Sequence, residues 1–161
     1  MIYQLDKPGQ SDYTQEINAT RDMTWKVIND IASWPRIFEN EYQEAKILER
    51  DITEDECERL IIALTPLSER GEISYTWISE RILDHKNYRV YAHRITPGPF
   101  LYMNIYQEVL LNKKGCILRW VQNYRVKPDQ KFTTEQAQEH MDSVIPGQLL
   151  AHASYIEKMN R

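Results

Sequence analysis

Glycine, cysteine, long apolar runs and surplus basic charge are all scarce in this 161-residue sequence. Each shortage excludes a class of function. Lys and Arg number 20 against 24 Asp and Glu, a formal net charge of −4, and no basic run exceeds Lys113-Lys114. A nucleic-acid footprint needs a clustered positive surface instead. No stretch of about 18 apolar residues occurs, and the first ten residues lack the apolar segment of a secretion signal. A soluble, cytoplasmic chain is therefore expected. Cys57 and Cys116 lack metal or redox spacing and are expected as thiols rather than a disulfide. His85, His93, His140 and His152 show no HxH, HxxxH or HExxH spacing for a metal. GxGxxG, the phosphate-binding P-loop and the GxSxG nucleophile elbow are absent too. What remains is an expected interior without metal or cofactor.

Rings, by contrast, are plentiful: ten Tyr, four Trp and three Phe against five Gly. So many large side chains need either a packed core or the wall of a cavity. At 42% hydrophobic and 27% charged, without repeat or linker, the sequence suits one domain over residues 1–161.

A short strand is expected near residues 13–18. Thr20-Arg21-Asp22 then offers a helix start, a hydroxyl cap followed by an acid in the first turn. Met23, Val27, Ile28 and Ile31 recur at helical spacing, and Pro35 is expected to end that helix. Residues 34–40 read as a tight turn or a short second helix. From residue 43 to 127 the pattern is strand-like, with breaks near 53–55, 66–71, 84–87, 97–99 and 112–115. Five breaks imply six strands joined by short turns, an antiparallel meander. The acidic run 54–58 reads as one solvated turn. Thr133 or Thr134 caps a last helix carrying Met141, Val144, Ile145, Leu149, Leu150, Ala153, Ile156 and Met159 on its apolar positions. Pro146-Gly147 should kink it. The simplest packing is an α+β fold in which a curved sheet wraps the long helix and leaves a space between them.

Strand alternation assigns the walls of that space. Ile73, Tyr75, Trp77, Ser79 and Arg81 share one face, bulky and aromatic yet ending in a guanidinium that cannot shed its charge. Arg81 either reaches water or a carboxylate at the rim, or stays inside and finds acceptors there. Leu118, Trp120, Gln122, Tyr124 and Val126 share a second face. Gln122, between two rings, is either a structural amide or a ligand contact. Arg94, Phe100 and Met103 are expected to enter the same interior.

Several stretches together carry a resemblance to a known family. Asn29-Asp30-Ile31-Ala32-Ser33-Trp34-Pro35-Arg36-Ile37-Phe38 resembles the first-helix end of polyketide cyclases in the START/Bet v1-like superfamily. Trp77-Ile78-Ser79-Glu80-Arg81, Ala92-His93-Arg94, the stretch Gly98-Pro99-Phe100-Leu101-Tyr102-Met103-Asn104, Arg119-Trp120-Val121-Gln122 and Lys127-Pro128 resemble tetracenomycin-type aromatase/cyclases in order and spacing. The resemblance covers roughly residues 13–158. It implies a helix-grip fold, a seven-stranded antiparallel sheet around the C-terminal helix with an internal cavity. It also implies a substrate, a poly-β-ketone tethered to an acyl carrier protein through phosphopantetheine, and a reaction, aldol closure followed by dehydration and aromatisation.

Carried over by position, Arg81 is the key polar group in the pocket and Tyr42 the tyrosine assisting it, its phenol acidified by the guanidinium. Trp34, Phe38, Trp77, Ser79, Arg94, Phe100, Met103, Trp120 and Gln122 match substrate-binding positions. Departures fall at Tyr75 and Gln107, where the relatives carry tryptophan, and at Pro146 and Gln148, where they carry arginine and asparagine. Tyr75 and Gln148 are kept as substrate-binding candidates, and one extra residue precedes Tyr42. A non-catalytic carrier of an apolar ligand and a stress or regulatory protein are the competing readings of such a fold.

Overall fold

The computed structural model describes residues 7–38, 41–67 and 76–160. Strand β1 (Gly9–Ile17) starts earlier than expected and leads into helix α1 (Arg21–Ile28). The cap is as the sequence reads: the Thr20 hydroxyl accepts from the Met23 backbone N–H at 3.1 Å. Helix α1 stops at Ile28, well short of Pro35. A single 3-10 turn (Ile31–Ser33) follows, then the one-turn helix α2 (Trp34–Ile37). Pro35 therefore opens α2 rather than ending α1. The first turn of a helix has no use for a backbone N–H, so proline fits there without loss.

Six strands follow, as the five breaks imply: β2 (Tyr42–Ile52), β3 (Glu58–Pro66), β4 (Trp77–Asp84), β5 (Arg89–Arg94), β6 (Phe100–Asn112) and β7 (Gly115–Val126). The sheet order is β1-β7-β6-β5-β4-β3-β2, every pair antiparallel. The meander is thus closed by β1 returning to pair with the last strand. Register breaks near Tyr42, Ile47 and Phe100 are bulges, which bend strands locally.

Helix α3 (Thr134–Met159) opens on a capping box, Thr133 and Gln136 satisfying each other's backbone N–H groups. It runs through Pro146, which denies the Asp142 carbonyl its usual helical partner. Its buried face is Thr134, Ala137, Ile145, Leu149, His152, Ala153 and Ile156. Leu150 and Met159, expected on that face, are 56% and 54% exposed. Each residue turns the helix by 100°, and Leu150 is one step past Leu149, off the stripe. The N-terminal half of α3 is tied to β1: the Asp142 carboxylate accepts from Tyr13 Oη at 2.9 Å and Ser11 Oγ at 3.2 Å. Both cysteines are free, Cys116 fully buried and Cys57 partly so. No helix among the described residues is long and apolar enough to cross a membrane.

Candidate active site, a ring-walled cavity under the C-terminal helix

Register decides which side chains meet inside the sheet. Arg81 on β4 stands opposite Ala92 on β5, Ala92 opposite Ile105 on β6, and Ile105 opposite Gln122 on β7. The neighbouring rows are Ser79–Arg94 and Val90–Gln107–Trp120. The small Ala92 leaves room at the centre. Helix α3 closes the other side with Met141, Val144, Ile145, Gln148 and His152, and Trp34, Phe38 and Tyr42 close one end. The enclosed volume is about 100 Å³. That is far below the roughly 300–1,000 Å³ of ligand-filled pockets, so a folded chain enters only if the wall moves.

Arg81 is 3% exposed, inside rather than at the rim. Its Nη2 donates to Asn29 Oδ1 at 2.9 Å and Gln107 Oε1 at 3.3 Å, and the guanidinium lies 5.1 Å from the Trp34 ring centroid. Both acceptors are neutral amides, and among the described residues no carboxylate pairs with the charge. Burial pushes its pKa down to about 10, still a cation at neutral pH. A second guanidinium, Arg94, lies 4.3 Å from the Trp77 centroid. The rings form a continuous wall: Tyr42 has its centroid 6.2 Å from Trp34, 5.9 Å from Phe38 and 6.2 Å from Trp77.

Tyr42 corrects one expectation. Burial, then the Glu41 carboxylate, pushes its phenol up to about 12, and the opposing pull of Arg94 and Arg81 is smaller. The phenol is not acidified; at neutral pH it is a proton-bearing donor. Gln148 reaches the cavity from α3 while its Nε2 donates to Glu41 Oε2 at 2.5 Å.

Of the residues singled out from the sequence, Trp34, Phe38, Tyr42, Trp77, Ser79, Arg81, Arg94, Trp120, Gln122 and Gln148 meet at this cavity. Phe100 and Met103 do not line it. They pack with Tyr124, Val126 and Ala137 in a separate cluster, although Arg94 lies 5.6 Å from the Phe100 centroid and Gln122 Nε2 donates to Met103 Sδ at 3.9 Å. The bulge between Phe100 and Tyr102 puts residues three apart on one side. Tyr75 lies outside the described residues.

Besides His93, which borders the cavity, three polar residues that shape the site were not among the candidates. Asn29 and Gln107 hold Arg81, and His152 is 2% exposed on the cavity side of α3. A signal for His152 existed: it falls at i+3 from Leu149, within the apolar stripe. Neither of its ring nitrogens has a hydrogen-bond partner among the described residues, and the same holds for Arg81 Nε, Trp120 Nε1 and Gln122 Oε1. Among the described residues no three His, Cys, Asp or Glu side chains converge as a metal site.

Burial, then the charge on Arg81, pushes His152 down to about 3. The unfolded chain takes up a proton below pH about 6.5 that the folded protein refuses, so stability must fall as pH drops from about 6.5 towards 3. The slope contributed is at most about 1.4 kcal/mol per pH unit. Denaturant melts of wild type and His152→Leu between pH 7 and 4 check this; the variant should lose that share of the acid sensitivity.

No family model matches the sequence. Among solved structures, the Zhui aromatase/cyclase from Streptomyces sp. R1128 superposes with a TM-score of 0.78 at 20% identity, covering 96% of this chain and 97% of the other. A START superfamily protein from Mycobacterium smegmatis gives 0.72 at 14% identity, covering 93% and 98%. These establish the fold, a START/Bet v1-like helix grip. Sequence goes further. A Streptomyces halstedii protein named as a polyketide cyclase is 34% identical over 113 residues, 70% of this chain and 98% of the relative. One from Streptomyces cyaneus, similarly named, is 32% identical over 121 residues, 75% and 76%. A relative this similar and almost wholly covered, on the fold of the aromatase/cyclases, places the chain in a family: it belongs to the polyketide cyclases.

Proposed function

We propose that the protein closes the ring of an acyl-carrier-protein-bound poly-β-ketone in a type II polyketide synthase, by intramolecular aldol addition followed by dehydration and aromatisation, without a cofactor. The observation that carries this reading is Arg81: a guanidinium 3% exposed at a cavity wall, whose hydrogen-bond acceptors among the described residues are neutral amides. Such a charge is free to meet the negative charge that develops on a substrate oxygen. In a water-poor site a fixed cation needs no reorganisation as the enolate and then the alkoxide form. At a pKa near 10 it serves as that cation rather than as a base.

The substrate supplies part of the chemistry itself, since a methylene between two ketones loses its proton readily. Tyr42, proton-bearing at neutral pH, relays protons without net loss. It gives its own to the forming alkoxide and regains one from the enol of the attacking β-diketone. In the dehydration it gives one to the departing hydroxyl and regains one from the adjacent carbon. The ring wall of Trp34, Phe38, Tyr42 and Trp77 excludes water and holds one bend of the chain, so that one methylene meets one carbonyl. The unpartnered polar atoms argue against an apolar ligand. A lipid tail would leave Trp120 Nε1, Gln122 Oε1 and both His152 nitrogens unsatisfied, each costing about 1–3 kcal/mol.

Reconstitution with a ketosynthase pair, its carrier protein and malonyl units tests the reading. Addition of the protein should convert a mixture of spontaneously cyclised products into one regioisomer by mass and NMR; an unchanged mixture would refute it. Tyr42→Phe should slow formation of that product by about 10²-fold or somewhat less, leaving the melting temperature within a few degrees. The wild-type rate should show no rise or fall from this phenol below pH about 11, which a pH–rate profile checks.

A further inference from the structure

His152 is a buried titratable group of the cavity wall that the mechanism above does not use. It projects from the C-terminal half of α3 into the cavity, 2% exposed, with its ring edge-on to Phe38 at 4.7 Å between centroids. An aliphatic residue would continue the stripe of Ile145, Leu149, Ala153 and Ile156 without leaving a polar atom unpaired. Instead both imidazole nitrogens lack a partner among the described residues. On the opposite wall, Trp120 Nε1 and Gln122 Oε1 are in the same condition. Buried polar atoms of a folded protein find partners, and a cluster of exceptions around one cavity marks where a ligand's own polar atoms belong.

We propose that His152 acts as a neutral imidazole that reads the oxygen pattern of the ligand, one ring N–H donating to a ketone or phenol oxygen and the other nitrogen accepting from an enol or phenol O–H. The ligand class is a polyoxygenated, enolised carbocycle or its open-chain precursor. Such molecules carry donor and acceptor oxygens at close intervals on a flat carbon frame, and the cavity offers unpartnered polar atoms beside the rings of Trp34, Phe38, Tyr42 and Trp77. The proposal rests on the reading of the cavity as a cyclase site but assigns His152 to recognition and positioning; no proton changes owner. Neutrality suits the task, because an imidazolium would repel Arg81 and would lose its acceptor. Desolvation keeps it neutral across the working range.

Phloroglucinol, the aromatic tautomer of a cyclic triketone, is a probe near the size of the present cavity, and benzene is its apolar control. In protein labelled with 15N-histidine, phloroglucinol should move both His152 ring-nitrogen resonances while benzene moves neither. Phloroglucinol should bind wild type about tenfold more tightly than His152→Leu, with benzene binding the two alike. His152→Leu should melt above wild type, since an unpaired buried polar group is gone, yet raise KM for the polyketone more than it lowers kcat. His152→Gln, which retains a donor and an acceptor, should recover part of the phloroglucinol affinity. Unmoved resonances, or equal phloroglucinol binding by wild type and His152→Leu, would overturn the assignment. The probe experiment needs no turnover. Failure of wild type to cyclise a polyketone would count against the proposed function alone, and unmoved nitrogens with intact cyclisation against His152 alone.

Discussion

Arg81→Ala should lower formation of the single cyclised product by about 10²–10³-fold, the loss seen when one oxyanion donor is removed from a preorganised site. The polyketone should then fall back to its spontaneous mixture of rings. The fold should survive. Arg81 is balanced by only two amide oxygens, at 2.9 and 3.3 Å, with Nε unpartnered among the described residues. Its charge therefore costs the folded state desolvation that the hydrogen bonds only partly offset. Arg81→Met, which fills the same space without the charge, should stay within about 3 kcal/mol of wild-type stability, the released desolvation of the cation offsetting the two amide oxygens left without a donor, while remaining as inactive as Arg81→Ala. Product analysis of the reconstituted synthase and chemical denaturation of the isolated protein measure the two halves. An active Arg81→Met would show that the wall, not the charge, does the work.

The second large effect is expected at Asn29, which sits just beyond the end of α1 and faces two ways. Its Nδ2 donates to the Trp25 carbonyl at 3.0 Å and its Oδ1 accepts from Arg81. Asn29→Leu removes the better of the two acceptors from a buried cation and should cost about 2–3 kcal/mol. For a chain of this length that is a fall of roughly 5–10 °C in Tm. Activity should drop with kcat falling more than KM rises, because the guanidinium stays present but loses its aim. The double variant Asn29→Leu/Arg81→Met should recover most of the lost stability, since no cation remains to be satisfied. A double-mutant cycle then isolates the pair. Additive losses in that cycle would mean that Asn29 supports α1 and nothing more.

Gln107 belongs to the same support. It is 4% exposed and stands where the resembling aromatase/cyclases carry tryptophan. An indole cannot accept a hydrogen bond, so the amide provides a second hold on Arg81 that an indole there could not. From the sequence Gln107 registered as a departure only. Its meaning depends on Arg81 lying one diagonal away across Ala92 and Ile105, which is a fact of register.

The fold was largely legible because its signals are local. Thr20 and Thr133 announce helix starts, five turn clusters separate six strands, and alternation places Trp77, Ser79 and Arg81 on one face and Trp120 and Gln122 on another. Where those signals misled, a non-local cause prevailed. Pro35 opens a one-turn helix because α1 had already ended six residues after Asp22. Phe100 and Met103 share the inward face of β6 but lie beyond Ile105, where Tyr124, Val126 and Ala137 pack over them and fill the space, a neighbourhood that alternation alone does not reveal.

The sequence by itself determined the inventory: a helix-grip order of elements, guanidiniums placed on ring-bearing strand faces, and the family to which the chain belongs. Each follows from periodicity, turn chemistry or motif, all of which are properties of neighbouring residues. Tertiary structure alone decided how those groups are tuned. Arg81 is bound by amides instead of carboxylates among the described residues, Tyr42 is held up near 12 instead of acidified, and His152 is kept neutral with neither nitrogen partnered among those residues. Desolvation and hydrogen-bond partnership depend on what surrounds an atom in space, and here the partners lie 26 to 52 residues away along the chain.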